Sequence, residues 1–175
     1  PKGVGALYVR RGVPVRSIYH GSNNEWGLRP GTENVPGIVG LGAAADLASI
    51  EMQRESTRIE ELRDRMQQRI ADAIAGCRIL GFEADRLPGS LTLCFPCVNS
   101  AEMLRKLPEL YVGIYASVHS DCDQPPRALV AVGLDSSASS GVVRISLGRS
   151  TTEEEIDRAA AQLIEAWHAS RNALG

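Results

Sequence analysis

Apolar residues recur at helical spacing from Ile38 to Ile74, and no other feature constrains the fold of this chain as strongly. Ile38, Leu41, Ala45, Ala48 and Met52 follow steps of three and four, and Ile59, Leu62, Met66, Ile70 and Ile74 continue them. Only polar residues separate the two sets. Asn34 can cap the orphan amides at the start, Pro36 suits the first turn, and Gly76 supplies a stop. One long or bent helix is therefore predicted over about 35–75. The charges Glu51, Arg54, Glu55, Arg58, Glu60, Glu61, Arg63 and Asp64 are expected to form its solvated face.

Around that helix, strand and helix patterns alternate. Strands are predicted over 3–9, 78–82, 90–98, 111–115 and 141–147, and short helices over 101–106 and 127–132. Thr152-Glu153-Glu154-Glu155 is a capping box whose acidic side chains suit the positive end of a helix dipole. Ile156, Ala160, Leu163 and Trp167 give that last helix its buried stripe. The serine-rich stretch Asp135–Ser140 is expected to be a surface loop. Strands alternating with helices indicate an α/β architecture, a sheet covered by helices.

Charge and cysteine content exclude several function classes. A net charge of −2 and a pI near 6.0 argue against nonspecific nucleic-acid binding, which needs a basic surface. No run is expected to be apolar enough to span a bilayer, so no membrane partner is predicted. Cys94-Phe95-Pro96-Cys97 has the spacing of a redox motif, but it lies in a strand pattern rather than at a turn opening a helix. There a cysteine behaves as a small core hydrophobe. No metal site is predicted, because no second cysteine pair completes four ligands and His20, His119 and His168 are isolated.

Before the long helix stands Arg29-Pro30-Gly31-Thr32-Glu33-Asn34. A fixed cation, a bare backbone and a hydroxyl at a helix start can hold an anion such as phosphate; the alternative is a surface loop with an ordinary cap. Other motifs follow in order: Pro1-Lys2-Gly3-Val4-Gly5, His119-Ser120-Asp121, Asp123-Gln124-Pro125-Pro126, and Val143-Arg144-Ile145-Ser146-Leu147-Gly148-Arg149-Ser150-Thr151-Thr152. Together they resemble the C-terminal part of the selenocysteine lyases and cysteine desulfurases. Those are pyridoxal-phosphate (PLP) enzymes of the class V aminotransferase type.

The resemblance implies the small C-terminal α/β domain of a fold type I PLP-dependent transferase. Residues 46–175 would form it, after a linking helix and a remnant of the large domain in residues 1–45. It makes Arg144 the grip on a substrate α-carboxylate, the alternative being a structural ion pair. Thr32 would reach the PLP phosphate across a homodimer interface, with Arg29 holding its loop in shape. His119 would shuttle a proton near the leaving chalcogen. The substrate of the complete, cytoplasmic enzyme would be selenocysteine or cysteine, converted to alanine.

Three departures qualify these expectations. The family's Schiff-base lysine falls just ahead of Pro1, and Lys2 matches a later, non-catalytic lysine. The chain is thus expected to be a segment of something longer, inactive by itself and binding no PLP by itself. The family's loop cysteine is deleted, since Ala116-Ser117-Val118 runs straight into His119, leaving Cys122 as a replacement nucleophile or an ordinary loop thiol. Finally, Gly21-Ser22-Asn23-Asn24-Glu25 stands where the family has a run of glycines. Two alternatives remain: a diverged, non-catalytic domain for dimerisation or partner binding, and a thiol-based sulfur carrier using Cys122.

Overall fold

The structure, a computed structural model, describes residues 1–114 and 127–172. It divides into two compact units, Pro1–Gln53 and Arg54–Gly175. The boundary falls inside the long helix α1, Val35–Ala73.

In the first unit, residues 1–34 are irregular apart from a turn of 3-10 helix at Glu25–Gly27 and tight turns such as that closed by the Val13 amide on the Arg10 carbonyl. The strand predicted over 3–9 does not form. Its pattern is apolar, but a strand exists only when its backbone groups find a ladder, and none of the described residues pairs with it. Asn34 caps α1 as expected, its Oδ1 accepting from the Gly37 amide at 3.2 Å and its carbonyl from Ile38 at 2.9 Å. Apolar side chains of this unit stand in solvent: Tyr8 is 86% exposed, Trp26 92% and Ile50 80%. By length and composition α1 is apolar enough to cross a bilayer, with a mean hydropathy of 1.3 over an 18-residue window. That corrects the expectation that no run is. Most of this apolarity between Gly37 and Ala48 comes from Ile38, Val39, Leu41 and Leu47, with the alanines adding to it.

The second unit is a helix layer on a sheet. Its elements are the last part of α1, then β1 Arg78–Ile79, β2 Ser90–Cys94, α2 Ser100–Leu104, β3 Gly113–Ile114, α3 Arg127–Ala131, α4 Ser136–Ser139, β4 Val142–Ser146 and α5 Glu153–Arg171. The sheet is antiparallel, with order β1-β2-β4-β3. Side chains alternate across it. Leu91, Leu93, Val143 and Ile145 face a core built with Leu62, Met66 and Ile70 of α1, Ile74 just past its end, Met103 of α2, and Ile156, Ala160, Leu163 and Trp167 of α5. The predicted helical stripes in this unit are therefore the buried ones, apart from the half-buried Ile59. Thr152 closes its capping box with Glu155 in both directions.

Two expectations are corrected here. The serine-rich stretch is not a loop but the short helix α4, because Asp135 accepts from the Ala138 amide and caps it. Nor is the charged stripe of α1 uniformly solvated. The Arg63 side chain is only 5% exposed, between Glu60 and Asp64, and donates to the Pro88 carbonyl at 3.3 Å. Arg58 pairs with Glu55 and donates to the carbonyls of Arg149 and Thr151, each at 2.9 Å, so it anchors the loop after β4.

Candidate functional site

The loop ahead of α1 is built by its own polar side chains. The Gly31 amide donates to Ser22 Oγ at 3.0 Å, and Ser22 in turn bonds Asn24. Asn24 Nδ2 donates to the Glu33 carboxylate at 2.9 Å. That bond, chiefly, holds the Glu33 carboxyl below the usual range, helped by its own backbone and the Arg29 charge. Arg29 Nη1 reaches the carbonyls of Gly31 and Thr32 at 3.3 and 3.2 Å, within the loop itself. Ser22 and Asn24 thus tie Gly31 and Glu33 on either side of Thr32. Their role was not visible in the sequence.

Gly31 sits at φ +94°, where an L side chain is strained, and Thr32 is exposed beside it. A bare backbone next to a hydroxyl fits the phosphate end of PLP. None of these groups offers a bed for its ring.

In the second unit the candidate is Arg144. It lies in the middle of β4, an interior strand, and is exposed while Val143 and Ile145 on either side are buried. On this face its neighbours are Thr92 of β2 and Gly113 of β3, each directly opposite it in register. Farther along the face, Cys94 and Val142 are covered by Leu129, Leu134 and Ala138, whereas Ser146 remains exposed. The sheet therefore holds a cation from below, with an apolar cluster at one end and polar side chains at the other. Neither Thr92 nor Gly113 was singled out from the sequence. A glycine inside a strand pattern was the one available signal.

The cysteine pair of the redox-like motif is not a redox site in this fold. Cys94 is buried in β2 and its thiol donates to the Ala138 carbonyl at 3.2 Å, while Cys97 is exposed in the turn beyond. Burial, above all, raises the Cys94 thiol, and burial pushes Cys77 up to about 12. His119 and Cys122, the candidate proton shuttle and nucleophile, lie outside the described residues, as does Asp123–Pro126.

Comparison with known proteins places the class first. The model of the aminotransferase class-V family matches residues 1–159, and the chain belongs to that family. Its relatives are cysteine desulfurases. That of Gluconacetobacter diazotrophicus is 40% identical over 162 residues, covering 90% of this chain and 40% of the relative. That of Rhodobacter capsulatus is 41% identical, covering 94% and 43%. A solved NifS-like protein superposes with a TM-score of 0.76 at 32% identity, over 90% of this chain and 40% of that one. A NifS-like protein from Rickettsia africae has the same TM-score at 20% identity and shares the fold. The chain thus spans about 40% of the length of these relatives.

Proposed function

We propose that this chain is the C-terminal portion of a PLP-dependent cysteine desulfurase, with Arg144 holding the α-carboxylate of cysteine. The position of Arg144 carries the reading: a permanent cation, exposed on an interior strand whose other face is sealed by a core. A guanidinium binds a carboxylate bidentately and keeps its charge at any working pH. In this reading residues 46–175 are the small domain and residues 1–45 belong to the large one.

Thr32 and its neighbouring backbone would hold the PLP phosphate, in a homodimer from across the subunit interface. PLP, when bound, supplies the electron sink that makes carbon–sulfur cleavage accessible. The chain's own contribution is to bind and orient. Arg144 fixes the acid end of the amino acid, Arg29 keeps the Thr32 loop in shape, and His119 moves a proton near the departing chalcogen. The exposed apolar side chains of the first unit fit cover by the rest of such an enzyme or by a second copy.

The deletion between Val118 and His119 favours a second substrate. Without a loop cysteine to receive sulfur, selenocysteine places the smaller demand on an acceptor, and Cys122 stands nearby in sequence as a substitute. The test is to add a separately expressed family large domain carrying the Schiff-base lysine and to measure alanine release from cysteine and from selenocysteine. Restored release that Arg144→Ala abolishes supports the proposal. A folded, PLP-loaded complex that releases no alanine would instead mark a non-catalytic binding domain.

A further inference from the structure

We propose that Gly113 is a positioning residue for Arg144: its bare backbone is the seat over which the arginine stem lies. A side chain with a γ atom there would turn the guanidinium out of its carboxylate-binding pose. The inference rests on the reading of Arg144 as a carboxylate grip and deepens it.

Gly113 and Arg144 are directly opposed in the β3–β4 ladder, so their side chains would project from the same face of the sheet. A Cβ placed on Gly113 would lie 3.8 Å from Arg144 Cβ and 3.7 Å from Arg144 Nε. Nε is three bonds beyond Cβ, yet it is no farther from that point. The arginine therefore bends over β3 instead of standing straight off the sheet. Its other flank is occupied by Thr92, a β-branched side chain opposite it on β2.

A methyl group at position 113 would meet Arg144 at ordinary contact distance, the nearest atom being its carbonyl oxygen at 3.4 Å. A γ atom directed toward Arg144 would contend for the volume that Nε occupies. Strand energetics pull the other way, since glycine is a poor strand residue and valine a good one. Recognition and local stability thus make opposite demands at one position, and that opposition gives the test its sign.

The test begins with the 15N-labelled 175-residue chain. The Arg144 Nε–Hε resonance is identified by its loss in Arg144→Lys, and it should show a nuclear Overhauser contact to the Gly113 α-protons. Displacement of this resonance should grow from glycine to Gly113→Ala to Gly113→Val, with no fall in melting temperature at valine. If valine prevents folding, Gly113→Ser places a γ oxygen in the same volume. No contact to residue 113, or a resonance unmoved by valine or serine, overturns the inference.

With the large domain added, KM for cysteine should rise in the same order, by about tenfold at valine, with a smaller change in kcat. If Arg144→Ala leaves alanine release intact, the carboxylate reading itself is wrong. If Arg144→Ala abolishes release and Gly113→Val leaves KM unchanged, the positioning role alone is wrong.

Discussion

Asp157 of α5 accepts two hydrogen bonds from Arg65 of α1, each 2.7 Å long. Arg69, one turn on, reaches the same carboxylate at 2.8 Å. Hydrogen bonding from Arg65, foremost, and the two positive charges hold the Asp157 carboxyl below its ordinary value of 3.8. The ionised form is thus favoured by folding. Its stabilising effect is complete above the unfolded value and is lost as pH falls through the lower, folded one. Asp157→Asn should lower the melting temperature at neutral pH, and the gap to the parent chain should narrow as pH falls below the ordinary carboxyl value. Melting curves across that range check it; a gap independent of pH would contradict the linkage.

Truncation should separate the two parts of α1. Met66 is fully buried and Val39 is 65% exposed. Met66→Ala is expected to cost about 2–5 kcal/mol. Val39→Ala should stay within about 0.5 kcal/mol in this chain. Urea unfolding followed by circular dichroism measures both.

The capping box of α5 gives a third expectation. Thr152→Ala removes the acceptor for the Glu155 amide and should destabilise by about 1 kcal/mol. Hydrogen exchange should quicken first in the opening turn of α5; uniform acceleration along the helix would argue against a local cap effect.

Thiol chemistry should sort the cysteines of the redox-like motif. Cys97 is exposed, Cys94 is buried with its thiol raised, and Cys77 is pushed up to about 12. Iodoacetamide near pH 8 should label Cys97 well before Cys94 or Cys77, and the latter two only on unfolding. Peptide mass spectrometry reads this directly. Equal labelling of Cys94 and Cys97 in the folded chain would overturn the packing account.

Loop order depends on Asn24. Asn24→Ala deletes the bond to Glu33, so the titration midpoint of that carboxyl should rise toward 4.5. A carbon-detected NMR titration follows it. An unmoved midpoint would assign the depression to the Arg29 charge and local backbone instead.

Legibility in the sequence followed the range of the interactions. Features set within one helical turn were readable: the Asn34 cap, the Thr152 box and the Leu62–Ile74 stripe all stand as the spacing indicates. The helix in the serine-rich stretch was also local, but Asp135 was passed over as a cap because a serine run reads equally well as loop. Features set by distant partners were not readable. Residues 3–9 have a strand pattern and no ladder, and Arg63 looks solvated until the Pro88 carbonyl closes over it. The candidate site divides the same way. Arg144 was legible as an exposed position between buried ones, but its flanks depend on β4 lying between β2 and β3, an order that no local pattern encodes.

Arg144 is set into a strand with ladders on both sides, so β2 and β3 together fix the backbone that carries it. On the reading of Arg144 as a carboxylate grip, insertions or deletions after Val118 would retune how sulfur or selenium departs while the grip stays fixed. Such a scaffold would keep the choice of molecule apart from the choice of chemistry, and selection could act on each without dismantling the other.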